Sequence, residues 1–211
     1  MIISELPDAD FTEVLKQIFE FLPEKVKANQ KYPQSCGRLT NFLKLRIENI
    51  LESAGYLPDE VKSIAGASQN FQLKSLGNFE AKLKSLKAAK NKGDFTAVSA
   101  VFKRINNILT QAKKQNIALS DNINQTLFAE EAEQTLFNVY QKTKSETETF
   151  ISNKEYNKVF DKVLEIKPAI DNFFEKVMVM SENEEVKKNR ITLLNSVQNI
   201  FSNFIDFSVL Q

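Results

Sequence analysis

The residues whose types and spacing point most directly to chemistry lie on one predicted helix, which follows Asp94 and ends near Lys114. Advancing by about 100° per residue places its apolar side chains on one face and Lys103, Asn107 and Lys114 on the opposite face. Ammonium and amide groups in such a ridge are suited to bind phosphate oxygens and base edges of a folded RNA. An ordinary solvent-exposed helix face is the alternative that this spacing leaves open.

Other basic and amide side chains extend the candidate RNA contacts: Arg104, Asn106 and Lys113 on the same helix, Lys187, Lys188 and Arg190 near the start of the last predicted helix, and Arg46 on an early one. Arg46 and Arg190 each interrupt an apolar stripe, where an unpaired guanidinium costs several kcal/mol. Each is therefore expected to meet a carboxylate such as Glu48 or Asp171, a carbonyl, or a phosphate of a ligand.

Two absences in the sequence remove most catalytic chemistry. The 211 residues contain no histidine, the commonest general base and metal ligand. The five glycines stand apart, so the chain has no glycine-rich phosphate loop. We therefore expect no catalytic residue, no metal and no cofactor in this chain, and an independent hydrolase is a poor interpretation.

Composition predicts an all-α protein of the cytosol. Glycine and proline number only 5 each, which favours long helices over sandwiches and barrels, and 17 phenylalanines without tryptophan must supply the aromatic core. The single cysteine, Cys36, excludes a disulfide framework and indicates a reducing compartment. No apolar run approaches the roughly 20 residues that a membrane helix needs, and the acidic N-terminus does not resemble a signal peptide.

Charge is distributed unevenly along the chain although the net charge is only +1. Residues 71–114 carry 10 basic and 2 acidic groups, whereas residues 115–185 carry 7 basic and 14 acidic groups. One face of such a molecule can hold phosphate while another repels it. Two helices paired by complementary charge would explain the same pattern.

Apolar periodicity predicts an irregular bundle of about seven to nine helices, with the first from about Asp10 to Leu22. A loop is expected over 29–37, a helix from Arg38 to Ala54 that stops at Gly55, and a restart of the chain at Pro168. Asp94 is expected to cap its helix, a polar loop is expected over 115–124, and the apolar tail after Phe204 is expected to dock on the body.

Two stretches carry a family resemblance: Asp94-Phe95-Thr96-Ala97-Val98 running into Val101 to Leu109, and Phe173 to Met180 followed by Asn183 to Leu194 and Asp206-Phe207-Ser208. Together with Asn41 to Ile47 and Gly55-Tyr56, they resemble the C-terminal region of the bacterial glycine–tRNA ligase beta subunit. This region is similar to the anticodon-binding domain of arginine–tRNA ligases, known as DALR. Asn183, Glu185, Val186 and Lys187 stand at its signature positions, so the acid at the first of them is replaced.

The resemblance implies an anticodon-binding-like domain over 38–211. The helix and loop over 1–37 belong either to this domain or to a preceding region. It also implies a parent enzyme of two alpha and two beta chains, in which the alpha chain uses ATP and Mg²⁺ to activate glycine and the beta chain grips tRNA(Gly). On this view the chain is a fragment whose Met1 is not the native start and whose C-terminus is intact. Lysine and arginine would neutralise phosphates of the anticodon stem and loop, while either Asn106 or Asn107, with Arg104 as a further candidate, would read bases.

A different class of function remains open at this point. A non-catalytic, helical protein-interaction scaffold would use the charge asymmetry to bind another chain, such as the alpha subunit, and would be indifferent to RNA. Binding of glycine tRNA across a salt series separates the two hypotheses.

Overall fold

A computed structural model of the chain describes residues 17–18, 20–27, 32–66, 76–92, 95–120 and 122–210. Over these ranges residues 17, 18 and 20 are helical, a helical turn follows at Glu24–Lys27, and seven longer helices come after it, while none of the described residues forms a strand. The seven helices are α1 (Tyr32–Ser53), α2 (Pro58–Gly66), α3 (Leu76–Lys92), α4 (Phe95–Lys114), α5 (Glu131–Ser152), α6 (Tyr156–Lys176) and α7 (Glu184–Ser202), with a 3-10 turn at Gln125–Leu127 before α5. The predicted all-α, irregular bundle is confirmed.

Helix α6 lies at the centre of the bundle and packs against α3, α4 and α5. The predicted restart at Pro168 is wrong, because α6 continues through this residue. A proline inside a helix costs about 3 kcal/mol or more. Four apolar side chains flanking it, Val163, Ile166, Ile170 and Phe173, are fully buried, and each contributes roughly 1.5–3 kcal/mol on burial. Packing of both halves of α6 therefore outweighs the local preference of proline.

Phenylalanine forms the centre of the core, as the composition predicts. The ring of Phe102 on α4 stacks on Phe207 with centroids 4.2 Å apart and meets the edge of Phe201 at 5.7 Å. Phe160 on α6 contacts Phe204 at 5.1 Å. Because Phe204 and Phe207 lie beyond the end of α7, the residues after this helix complete the core shared by α4, α6 and α7.

The C-terminal segment is held to the body by polar contacts as well. α7 ends at Ser202, and the backbone turns there so that Ile205 and Leu210 are buried. The N–H of Asp206 donates to the carbonyl of Ser63 on α2 at 2.8 Å. The predicted docking of the tail is confirmed.

Helix α1 begins earlier than expected. The loop predicted over 29–37 is wrong for residues 32–37, which are helical, so α1 crosses the predicted domain boundary after residue 37. Pro33 lies in the first turn, where its missing N–H has no helical partner to lose. The predicted stop at Gly55 is confirmed: its φ is +91°, which favours glycine, and the next N–H, of Tyr56, donates to the Leu51 carbonyl at 3.2 Å.

The polar loop predicted over 115–124 is confirmed for residues 115–120 and 122–124, and hydrogen bonds hold it to α7. The N–H of Asn124 donates to Asn189 Oδ1 at 2.8 Å, and Asn189 Nδ2 donates back to the Asn124 carbonyl at 2.9 Å. The N–H of Ser120 donates to Thr192 Oγ1 at 3.2 Å. The predicted cap Asp94 and most of the predicted helix from Asp10 to Leu22 lie outside the described residues.

A lysine of α3 lies over two aromatic rings of the core. Lys82 Nζ is 5.2 Å from the ring centroid of Phe204 and 5.7 Å from that of Tyr156. Burial lowers the pKa of Lys82 below 10.5. The folded state therefore binds this proton less tightly than the unfolded state, so stability is diminished at neutral pH and rises as pH increases through the lowered pKa.

Replacing Lys82 with methionine is expected to stabilise the protein, because the side chain keeps its length while the desolvated charge is removed. About 1 kcal/mol corresponds to a rise in Tm of roughly 2–4 °C for a chain of this size. Thermal unfolding followed by circular dichroism at neutral pH measures the effect. Lys84→Met is the matched control, since Lys84 is exposed and pairs with Glu80 at 2.9 Å. An equal gain in both variants would contradict the role of burial.

Candidate nucleic-acid interface

Helix α4 separates an apolar face from a polar one. Phe95, Val98, Phe102, Ile105 and Ala112 are buried against α3, α6 and α7. On the opposite face Asn107 and Lys114 are exposed and Lys103 is half-buried. The two faces therefore lie as the sequence predicts, whereas the role of the polar face in RNA binding stays a prediction.

Two cations of α4 are positioned by contacts that leave part of each group free. Lys103 Nζ donates one hydrogen bond to the carbonyl of Leu210, and an ammonium has three N–H donors. The guanidinium carbon of Arg104 lies 4.0 Å from the ring centroid of Phe174 on α6. A guanidinium stacked on a ring keeps its N–H edge available to an acceptor, and Arg104 is exposed. Both side chains are therefore oriented without being neutralised.

Lys113 and Lys114 lie in the last turn of α4 and are exposed. Positive charge at this end is favourable for the helix, because the last carbonyls carry partial negative charge. The rise of 1.5 Å per residue places Lys103 and Lys114 about 16 Å apart along the axis. The cations thus extend along α4 from its middle to its last turn and are not clustered at one point.

The basic segment over residues 71–114 divides into two parts with different surroundings. Lysines of α3 meet protein groups: Lys90 lies 3.1 Å from Glu60 on α2, and Lys92 lies 3.6 Å from Asp161 on α6. Complementary pairing of helices therefore explains part of the charge pattern, although Lys92–Asp161 is an exposed contact. In contrast, Lys103, Arg104, Lys113 and Lys114 form no ion pair with any carboxylate of the described residues, so the unneutralised charge lies on α4.

Arg190 is buried in an ion pair that joins α7 to α5. Its Nε and Nη2 donate to the two carboxylate oxygens of Glu133 at 2.9 and 3.0 Å, and its Nη1 donates to the Met178 carbonyl at 3.0 Å. Arg190 is only 7% exposed. The predicted tie to a carboxylate is confirmed with a different acid from Glu48 or Asp171, and this position takes Arg190 away from the candidate RNA surface.

The Glu133 carboxylate is held ionised by this network. Burial raises the pKa of Glu133, but hydrogen bonds from Arg190 and from the backbone N–H groups of Ala129 and Glu130 lower it, and the net pKa lies below 4.5. The folded state therefore binds this proton less tightly than the unfolded state. The resulting stability is present above about pH 4.5 and is lost as pH falls through the lowered pKa.

Arg46 does not lie on a buried face, and the expectation that it needs a partner there is wrong. Its side chain is exposed, and so are its neighbours Leu39, Phe42 and Leu45, at 40%, 62% and 51%. α1 packs mainly against α2 and buries Ile47 and other apolar groups only in its second half. Periodicity defined the stripe correctly, but no neighbouring helix of the described residues covers its first half.

The remaining basic candidates lie at the start of α7. Lys187 pairs with Glu184 at 2.5 Å, while Lys188 is half-buried and its carbonyl accepts from Thr192 Oγ1 at 2.9 Å. Asn183 Oδ1 caps the helix by accepting from the N–H groups of Glu185 and Val186 at 3.0 and 3.2 Å. Asn183 is therefore the N-cap of α7, and Lys187 and Lys188 lie in the first turns of this helix.

Asn106 lies at the edge of a cavity between α4, α7 and the C-terminal segment. The volume is about 350 Å³, and the lining includes Phe102, Asn106, Gln198, Asn199, Asn203, Asp206 and Phe207. Gln198 Nε2 donates a long hydrogen bond of 3.4 Å to Asn106 Oδ1. Sequence analysis missed the α7 side chains of this cavity, although the amides at 198, 199 and 203 recur at the edge of an otherwise buried helix, which is a recognisable signal.

The described residues contain neither a metal-binding cluster nor a membrane-spanning helix. No group of three or more Asp, Glu or Cys side chains there is arranged to hold a metal ion. The helices described also include none with the length and apolar character needed to cross a bilayer.

Comparison with known proteins identifies the family. The model of the "DALR anticodon binding domain" matches residues 98–207. The glycine–tRNA ligase beta subunit of Sulfurihydrogenibium sp. is 32% identical over 82% of this chain and 24% of its own length. That of Acidobacterium capsulatum is 34% identical over 87% of the chain and 29% of its own length, and that of Colwellia psychrerythraea is 27% identical over 100% and 29%.

The chain thus spans only about a quarter of the length of these curated relatives. The family match begins within α4, at Val98, and extends past α7 to Phe207, so it includes the cationic face of α4 and the amide-lined cavity. Since these residues make up more than half of the sequence, the chain belongs to the DALR anticodon-binding domain family.

Proposed function

We propose that the chain binds the anticodon stem and loop of glycine tRNA as part of a glycine–tRNA ligase beta subunit. In this role it supports the ATP-dependent charging of tRNA with glycine in the cytoplasm. The catalytic site that uses ATP and Mg²⁺ would belong to the alpha subunit of the enzyme, which is the second expected partner. This chain would contribute affinity and orientation of the tRNA, and no catalytic residue.

The observation that carries this proposal is the unneutralised charge of α4. Lys103, Arg104, Lys113 and Lys114 lie in a region matched by an anticodon-binding family, and none of them is paired with a carboxylate of the described residues. Cations that neutralise phosphates release counterions from the RNA, and this release favours binding. Asn107, exposed between these cations, provides an amide for a base edge or a ribose hydroxyl.

The test is binding of the purified chain to a glycine tRNA transcript, measured by fluorescence anisotropy from about 50 to 300 mM salt. Each phosphate contact changes the slope of log K against log salt by about 0.7 to 0.9, so three contacts give about −2 to −3. The matched control RNA is the same transcript with the two cytosines that end a glycine anticodon both replaced. Binding that weakens steeply with salt and prefers the unchanged anticodon is expected. Absence of binding at low salt would contradict the proposal.

A second candidate function, protein interaction, is favoured by the exposed apolar side chains of α1. Leu39, Phe42 and Leu45 share one helix and are all at least 40% exposed, and apolar patches of this kind mark contact surfaces between proteins. The matched part of this chain makes up only 24% and 29% of the length of two relatives, so the rest of a beta subunit is the occupant that we infer for this face.

Co-purification with the remaining part of a beta subunit tests this second function. Capture that persists at about 0.5 M salt, where surface charges are screened, and that is lost in Leu39→Ser/Phe42→Ser is expected. Capture by the alpha subunit instead would assign the face to a different occupant. Retention of capture in the double variant would show that α1 does not form the contact.

A further inference from the structure

The cavity between α4, α7 and the C-terminal segment is lined by groups that suit a base more than a phosphate. Asn106, Gln198 and Asn203 contribute amides, Asp206 contributes a carboxylate, and the lining includes no lysine or arginine. Amides offer donors and acceptors side by side, which is the pattern of a base edge. A carboxylate without a neighbouring cation repels phosphate, so the ligand chemistry indicated is an uncharged ring with polar edges.

Gln198 is the least satisfied polar group of this cavity. Its Nε2 makes one long hydrogen bond of 3.4 Å to Asn106, and no protein group of the described residues donates to its Oε1, which is shielded from solvent. An unpaired buried acceptor is unfavourable, whereas a donor that reaches it is favourable. The terminal torsion of glutamine is broad, so the amide can turn towards the cavity with the loss of only one weak bond.

Asp206 offers a second acceptor in a fixed position. Its Oδ1 accepts from the N–H and the hydroxyl of Ser208 at 2.8 and 2.6 Å, which sets the orientation of the carboxylate. Its Oδ2 faces Gly66, where an added Cβ would lie 3.5 Å away. An ionised carboxylate only accepts hydrogen bonds, so a base with an amino group is favoured over one that presents a carbonyl at the same place.

The cavity also borders the cationic face of α4. Asn106 follows Lys103 by three residues and precedes Lys113 by seven, or about 4.5 and 10.5 Å along the axis. Rotation by about 100° per residue places Lys113 within 20° of Phe102, which lines the cavity. A base that enters the cavity therefore has its own backbone phosphates near lysines of this helix.

We propose that this cavity takes one unstacked anticodon cytosine, whose amino group donates to Gln198 Oε1 and Asp206 Oδ2 while the amide of Asn106 donates to the ring. The assignment rests on the proposed function, because it presumes that the anticodon loop meets α4. A glycine anticodon ends in two cytosines, and a uracil at the same place presents a carbonyl to the two acceptors. Phe102 and Phe207 form the apolar wall against which the ring lies.

The experiment compares the affinities for glycine tRNA transcripts in which each of the two cytosines is changed to uracil in turn. The unmodified chain is expected to prefer cytosine at one of these positions by about tenfold or more. Gln198→Leu and Asn106→Ala, one on each helix, are expected to reduce this preference to about twofold or less while keeping the affinity for the uracil transcript. Lys114→Ala is the matched control, expected to weaken all transcripts equally and to keep the ratio.

The outcomes separate this assignment from the function on which it rests. A cytosine preference that survives in both cavity variants, with their Tm values showing that they are folded, overturns the assignment and leaves anticodon binding intact. Equal binding of the cytosine and uracil transcripts by the unmodified chain also overturns it. Absence of any salt-dependent tRNA binding overturns the proposed function and the assignment together.

Discussion

Replacing Glu133 with alanine is expected to lower the free energy of unfolding by about 3–5 kcal/mol, the usual effect of breaking a buried ion pair. The change leaves the Arg190 guanidinium, 7% exposed, without its counter-charge. It also removes the acceptor of the Ala129 and Glu130 N–H groups, which donate to Glu133 Oε2 at 2.9 and 3.0 Å. Chemical denaturation at pH 7 measures the loss, and Glu131→Ala, in the exposed first turn of the same helix, is the matched control.

Two further measurements distinguish lost charge pairing from lost packing. The double variant Glu133→Leu/Arg190→Met is expected to recover much of the stability, because no charge then remains buried without a partner. The difference between wild type and Glu133→Ala is expected to shrink as pH falls from about 4.5 through the lowered pKa of Glu133, because the protonated carboxyl no longer pairs with Arg190 in the wild type. A loss that is independent of pH and is not recovered in the double variant would contradict this account.

The residue pattern of single helices could be predicted, because it depends on local periodicity. α4 has the predicted buried stripe of Phe95, Val98, Phe102 and Ile105, and the polar ridge lies opposite. Asn183 caps α7 and Gly55 ends α1 for reasons that act within one turn of chain. These features need no knowledge of which helices are neighbours.

For features that depend on neighbouring helices, the type of contact could be predicted but the partner residue could not. A buried arginine must have a partner, so the tie of Arg190 was predictable, but its partner Glu133 is 57 residues distant and its identity depends on how α5 meets α7. The same limit explains Arg46, which lies in an apolar stripe that α2 covers only in part. The continuous helix through Pro168 could not be predicted locally, because core packing on both sides of the proline outweighs its local preference.

The candidate site also combines features that are local in sequence with features that depend on neighbouring helices. The excess of basic residues over 71–114 can be counted in the sequence. Only the fold distinguishes the lysines of α3, which contact acids or aromatic rings, from those of α4. The amide-lined cavity joins residues of α2, α4, α7 and the tail, and its chemistry comes from their proximity. A charge count along a sequence cannot provide this distinction.

The second large effect is expected from reversing charge on α4. Lys113→Glu/Lys114→Glu is expected to weaken binding of glycine tRNA by about a hundredfold or more at roughly 0.1 M salt, because two attractive contacts become repulsive. The neutral variant Lys113→Gln/Lys114→Gln is expected to weaken it less and to reduce the salt slope by about 1.4 to 1.8, the value for two phosphate contacts.

An exposed lysine on another helix provides the control for this prediction. Lys144→Glu changes an exposed lysine of α5 and is expected to leave the tRNA affinity nearly unchanged. Since negative charge at the C-terminal end of a helix costs roughly 0.3–1 kcal/mol, the helical signal and Tm of each variant must be compared before affinities are interpreted. If the charge-reversed protein stays folded and binds tRNA with the affinity and salt slope of the wild type, the α4 ridge is not the RNA-binding face. The exposed apolar face of α1 then becomes the stronger candidate for the interaction surface of this domain.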